Sequence, residues 1–509
     1  MRGSRGSAIS MRTNLLLAVL LLATAVLGTP ELALFGPAMA PAALEDLETT
    51  GPIPWYQLWV EVDFAEGGPS FSGHELLKYI NNEGVPLDEL YLRLYPNGHL
   101  TYGAGSLRID DVMAGGELVT PGLEYGETVA RIELEEPLPL GEELVLELGF
   151  AGMVPQNFAG YGGSSYGIYD YTGGVLKLAN WFPILAAYDR EGWHLDPIYG
   201  WGDAVYSETA LFEVWITAPE DQVVVASGTE LEQMSNPDGT VTHHYVSGPM
   251  RDFFIVLSPD FRRLSAQVGE TQVNSYYLAG DEPGGRAALA VAANAVRLFN
   301  QRFGLYPFAE LDVIEAPLPW IGGVEYPGLI LISDKLYGSA EYLARRELQF
   351  TMIVAHEVAH QWWYSLVGND VIGEPWLDEA LATYSSGIYI AEFLGEAAFE
   401  ELLRDWQRSF QRARGWTDAP VTAPLDRFSY NTYYGIVYCG GALFYHELRA
   451  ELGDELFFAG LQEYLRRFKY RVATTEDLLG VFEEISGQDL EELYDEWLFA
   501  SQENSVGAW

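Results

Sequence analysis

Cysteine and lysine are almost missing from this chain of 509 residues. Cysteine occurs once, at Cys439, so no disulfide can close within the chain and no thiolate cluster can hold a metal. Lysine is confined to Lys78, Lys177, Lys335 and Lys469, and Lys plus Arg total 28 against 73 Asp plus Glu. The balance, 28 − 73 = −45, leaves no basic face to neutralise phosphates, which excludes a nucleic-acid binder. A polybasic patch for an anionic membrane is excluded on the same ground. Disorder would fit so large an imbalance, but 49% hydrophobic and 14% aromatic residues supply a core. Internal repeats and low-complexity tails are also lacking, and at this length several domains are expected.

What is present begins with an N-terminal address. Arg2, Arg5 and Arg12 precede an uncharged apolar run over 15–27, and Ala38-Met39-Ala40 offers small residues for cleavage. The run is too short for the roughly 20 residues of a spanning helix. Residues 1–40 therefore read as an export signal, cleaved or kept as an N-terminal anchor, and 41–54 as a linker. No later stretch is long and apolar enough to span a bilayer. The expected location is outside the cell or in its envelope.

From 55 to 265 the text alternates apolar and polar residues in short runs such as LWVEVDF and LYLRLYP, broken by Gly, Pro and Asp. That is strand chemistry and predicts an all-β region. From 266 to 509 the period changes. Helices are predicted over 284–303, 341–366 and 376–395, with strands at LDVIEAPL and GLILISD. The fold class is α+β, in two domains.

The strongest chemical signal is His356-Glu357-Val358-Ala359-His360, inside a predicted helix. Residues four apart share a helix face, so both imidazoles can reach one metal ion, with Glu357 beside them to act on water. A hydrolytic zinc takes a third protein ligand and leaves one position for water. Glu379, nineteen residues after His360 on the next predicted helix, is the candidate. His243 and His244, adjacent on a predicted strand, point to opposite faces and cannot chelate together. The bland reading of that pair is a surface strand.

HEVAHQWW, the gap to Glu379 and WLDEALATY together resemble the gluzincin aminopeptidases, the family of aminopeptidase N and leukotriene hydrolase. The resemblance implies a saddle-like β domain followed by a thermolysin-like, mainly helical catalytic domain with a small mixed sheet, in a short form without the large C-terminal helical domain. It implies one zinc ion per chain on His356, His360 and Glu379, with Glu357 as proton carrier. Asp378 and Ala380 stand where the family carries Asn and Gly. Gly322-Gly323-Val324-Glu325-Tyr326 matches the family's edge-strand motif, which implies substrate contacts from Gly322 and Gly323 and capture of a peptide's α-ammonium by Glu325. Tyr438, 59 residues beyond Glu379, matches the tyrosine that stabilises the oxyanion, and Tyr433 resembles a second site tyrosine. The implied partners are peptides with a free N-terminus. Members often carry another acidic or amide anchor nine residues before an aromatic-Pro pair. Here that position, counted from Pro183, is Gly174, and Asp170 is out of register. The sequence thus leaves two alternatives: an exported zinc endopeptidase of the same fold, and a catalytically silent peptide-binding protein.

Overall fold

The computed structural model describes residues 32–65, 67–158, 166–203 and 205–499. The first half is β throughout. Its largest sheet has nine strands and centres on Trp55–Ala65, flanked in parallel by Leu211–Pro219 and antiparallel by Gly68–Ile80. Period-two patterning explains the placement: Leu58, Val60 and Val62 are buried, while Glu61 and Asp63 between them face out. On the other face, His74, Trp59, Trp215 and His244 fall in one cross-strand row. The two indoles stack at 4.7 Å, and Trp215 stacks on His244 at 4.6 Å. His244 and His243 each pair with a separate glutamate, Glu213 and Glu230. They do not chelate together, but His243 is buried, so the pair is not the surface strand expected.

The second half opens on a mixed five-stranded sheet, ordered Phe261–Val268, Thr271–Leu278, Glu310–Ala316, Leu329–Ser333 and Gly323–Tyr326. Its first strand starts at Phe261, so the change of architecture precedes the expected boundary at 265. Helices cover this sheet, beginning with the Ala-rich Glu282–Arg302. The predicted helix over 341–366 is two helices, Ala340–Ala344 and Glu347–Ala359. Among the described residues, no helix is long and apolar enough to cross a membrane.

Residues 32–49 pack against the second half. Phe35, Ala38, Met39, Ala40 and Ala43 are buried, Met39 forms a β-bridge with Phe308, and Ala40 N–H donates to the Pro307 carbonyl. Asp46 accepts from Lys469 and Tyr470. Ala38-Met39-Ala40 is thus part of the folded core. The start of the expected linker is likewise packed on the second half. Residues 1–31, which carry the basic and apolar parts of the export reading, lie outside the described residues.

Two buried cations join the halves. Arg251 donates to the carbonyls of Ser207, Tyr364 and Arg471, exchanging its hydration for fixed dipoles. Lys177, fully buried, pairs with Asp170 at 2.6 Å and donates to the Pro317 carbonyl at 2.6 Å. That second bond ties the β half to the segment leading into the edge strand Gly323–Tyr326.

Candidate active site

Three elements converge on a cavity of about 490 Å³. The first is the helix Glu347–Ala359, buried at Phe350, Val354, Ala355 and Val358. A helix apolar on several sides is packed all round, so its polar members are internal by position. His360 closes it as C-cap but keeps helical dihedrals (φ −60°, ψ −15°), so the two imidazoles stay on one side. The second element, helix Trp376–Phe393, is buried from Trp376 through Ile390 and packs on the first. The third is the edge strand, which hydrogen-bonds to Leu329–Ser333 on one side only.

Donor atoms of the expected ligands form a small triangle. His356 Nε2 and His360 Nε2 are 3.1 Å apart, and Glu379 Oε2 lies 3.3 Å from the first and 3.4 Å from the second. Ligands of a tetrahedral zinc with bonds of about 2.0–2.2 Å stand roughly 3.3–3.5 Å apart, so the set fits one ion. Glu379 Oε2 is shielded from solvent and accepts no hydrogen bond among the described residues. An orphaned carboxylate oxygen between two ring nitrogens is a metal-binding donor set. Outer contacts orient it. The Trp363 carbonyl, which can only accept, lies 3.1 Å from His360 Nδ1, so Nδ1 carries the proton and Nε2 keeps its lone pair. Thr383 Oγ1 is 3.5 Å from His356 Nδ1. Tyr438 stacks on the His356 ring at 5.8 Å and donates its hydroxyl proton to Glu379 Oε1, leaving Oε2 to the histidines. It sits in a π-helical stretch, Tyr434–Gly440, that runs directly into the α-helix Gly441–Phe468.

Glu357 also places an oxygen within 4.8 Å of both imidazoles. Glu379 is nearer to both, so it is the better third donor and Glu357 stands free beside the triangle. The two glycines explain why the edge strand can come so close. A Cβ on Gly323 would fall 2.5 Å from Glu357 Oε1, and one on Gly322 would fall 2.6 Å from Ile353 Cδ1. The close approach they permit is to the histidine helix, whereas the sequence reading assigns it to a substrate. Glu325, on the same strand, lines the cavity and is buried. Tyr433 lines it too, its ring edge-on to Tyr438 at 5.5 Å.

The cavity is strongly anionic. Neither Lys nor Arg is among its lining residues. Burial pushes Glu357 well above the usual carboxylate range, and Glu325 adds to this. Burial raises Glu325 too, against the opposing pull of His360. Asp378, behind Glu379, is pushed up to about 8, first by burial and then by Glu379. Glu379 behaves oppositely: burial opposes its charge, but the adjacent rings of His356 and His360 outweigh that and hold it at about 2. For His360 burial works against a proton, yet Glu325 and Glu379 overcome it and raise its pKa well above the ordinary value. His356 is lowered, chiefly by burial. Such a field favours a cation at the triangle.

The model of the Peptidase family M1 domain matches residues 287–497, a span that holds the triangle, Glu357, the edge strand and Tyr438. Over this span the chain is similar to the M1 peptidase domain. Aminopeptidase M1-C of Oryza sativa subsp. japonica is 25% identical over 419 residues, 79% of this chain and 46% of the relative. Aminopeptidase M1-B of the same plant is 27% identical over 421 residues, again 79% and 46%. The chain thus spans about half the length of these relatives. An M1 zinc metallopeptidase from Deinococcus radiodurans superposes with a TM-score of 0.64 at 22% identity, over 88% of this chain and 93% of that one. A variant of that enzyme bound to a Tyr-Ser-Ala substrate reaches 0.67 at 23% identity, over the same shares. Both share the two-part fold of this chain.

Among the acidic residues of the cavity, Asp203 alone has no counterpart in the sequence reading; it belongs to the β half and lines the cavity with Glu325. It lies in a Trp-Gly-Asp turn with no recognisable motif around it, and only the tertiary fold brings it to the second half.

Proposed function

We propose that this chain is a zinc aminopeptidase that removes N-terminal residues from peptides. The observation that carries the reading is the triangle of His356, His360 and Glu379 at 3.1–3.4 Å, with Glu357 beside it and Glu325 on an edge strand in the same cavity. His356, His360 and Glu379 would hold one zinc ion. When bound, zinc acts as a Lewis acid that acidifies water and polarises a carbonyl. Glu357 takes the proton of the attacking water and later passes it to the leaving amine, a task suited to a carboxylate whose burial favours its protonated form. The Tyr438 hydroxyl turns from Glu379 Oε1 to the carbonyl oxygen as that oxygen gains charge. The edge strand offers its unpaired backbone to an extended peptide, and Glu325 holds the peptide's ammonium, which limits cleavage to the first bond. The names of the rice relatives and the Tyr-Ser-Ala complex of the structural relative support the same substrate class.

The test is a panel of aminoacyl reporters, each with a free and an acetylated amine. Chelator-sensitive hydrolysis confined to the free series is expected. Rapid cleavage of blocked or internal bonds would establish the endopeptidase instead, and no hydrolysis without zinc binding would establish the silent binder. The basic and apolar segment within 1–31 supports export. Because Phe35, Ala38 and Ala40 are core residues, a processed chain is expected to retain residues 32–40. N-terminal sequencing of secreted protein that began at Pro41 would contradict this.

A further inference from the structure

Glu325 alone is a sparse site for an ammonium ion, which has three N–H donors. The β half supplies no second anchor where the sequence reading looks for one. Gly174 turns at φ 81° and does not line the cavity. Asp170 is locked to Lys177 with both side chains fully buried. Asp203 is placed differently. It lines the cavity with Glu325, where the β half meets the second half. Its Oδ2 is shielded from solvent and has no hydrogen-bond partner among the described residues. The backbone that presents it is pinned. Gly202 turns at φ 71°, and a Cβ there would fall 2.7 Å from Leu425 Cδ1 and 3.3 Å from the Tyr433 ring. Glu325 and Glu379 are the leading charges acting on Asp203, both of its own sign. A shielded, unpartnered carboxylate oxygen in a cavity shared with a second carboxylate is costly unless a cation or proton joins them.

We propose that Asp203 is the second amine-binding carboxylate of this site, closing with Glu325 around the α-ammonium of a peptide's first residue. The proposal rests on the aminopeptidase reading and extends it by one residue from the β half. The ammonium donates to both carboxylates, two negative charges meet one positive charge and the dication beyond, and no bond is made or broken. A blocked amine offers fewer donors and no charge, so it leaves Asp203 Oδ2 unpaired. Asp203 thereby discriminates at the first residue without touching the scissile bond.

The experiment uses the full zinc-loaded chain with Asp203→Asn, which keeps the shape and removes the charge, and Asp203→Glu as the conservative variant. Hydrolysis of alanyl and arginyl anilides is measured beside that of acetyl-alanyl anilide, with zinc content and calorimetric binding of leucine amide and its des-amino analogue. For Asp203→Asn, kcat/KM on both free-amine anilides should fall about ten- to hundredfold, mostly through KM. The blocked substrate and the zinc content should be unchanged, leucine amide should lose its advantage over the des-amino analogue, and Asp203→Glu should restore part of the loss. An unchanged kcat/KM on the free-amine anilides would overturn the proposal. So would a loss confined to the arginyl substrate, which would make Asp203 a side-chain pocket residue, or an equal loss on all substrates together with loss of zinc, which would make it structural. Wild-type protein with no preference for a free amine in either assay would overturn the aminopeptidase reading itself, and Asp203 with it.

Discussion

At one end of the cavity, three donor atoms from two successive helices converge within 3.4 Å of one another; at the other, carboxylates from a turn of the β half and from a sheet edge share a wall. A zinc ion demands distances held to tenths of an ångström, and that end is accordingly built on fully packed helices whose ligands lie a few turns apart in sequence. An ammonium demands mainly negative charge and acceptors within reach, so its end can draw on residues more than a hundred positions apart. The metal end is rigid and local. The amine end is assembled by the fold.

Several substitutions would break or sharpen that contrast. Replacing Glu379 by Ala removes a zinc donor and the acceptor of Tyr438. Zinc should fall from one per chain to near zero and kcat/KM by about 10⁴-fold or more; metal analysis with a reporter assay reads both. Tyr438→Phe keeps the ring stacked on His356 but loses the hydroxyl. It should lower kcat by about 10²–10³-fold with zinc retained, and a loss of zinc instead would make Tyr438 a support for Glu379. Gly323→Ala pushes a Cβ to within 2.5 Å of Glu357 Oε1. An approximately 10²-fold loss of kcat is expected from displacing the proton carrier; wild-type kinetics would show that strand and helix separate freely.

The smallest effect concerns buried carboxylates that do not line the cavity. Burial, first among the causes for each, pushes Glu208 and Asp252 up to about 7 and Glu315 up to about 8. Unfolded, these groups release their protons near pH 4, so between about pH 4 and 8 the folded chain binds more protons. Stability must then fall as pH rises through that window. Glu463, held at about 2 by Arg466 and Arg467, acts only below it. A Tm that declines by several degrees from pH 5 to pH 8 is expected in a thermal scan; a level or rising Tm would contradict it.

The same contrast governs what the sequence could reveal. The division into a β half and a helical half, the four-residue spacing of His356 and His360, and the place of Glu379 are short-range patterns, so period and spacing expose them. The break between the helices Ala340–Ala344 and Glu347–Ala359 carries no glycine or proline and leaves the apolar pattern intact, which hides it. The core role of Ala38-Met39-Ala40 depends on Phe308, some 270 residues away, and small apolar residues suit a cleavage site and a tight core equally. Asp203 was illegible for the same reason. Its neighbour Glu325 is far along the chain, and an aspartate after glycine reads as a turn.

The claim at the centre of this account is that Glu357 moves the proton while the metal triangle is complete without it. Glu357→Gln, purified with zinc and assayed on a free-amine reporter, tests it directly. The prediction is one zinc per chain, as in wild type, and a kcat lower by about 10²–10⁴-fold. Loss of the zinc would place Glu357 among the ligands in place of Glu379, and retained activity would remove it from the chemistry.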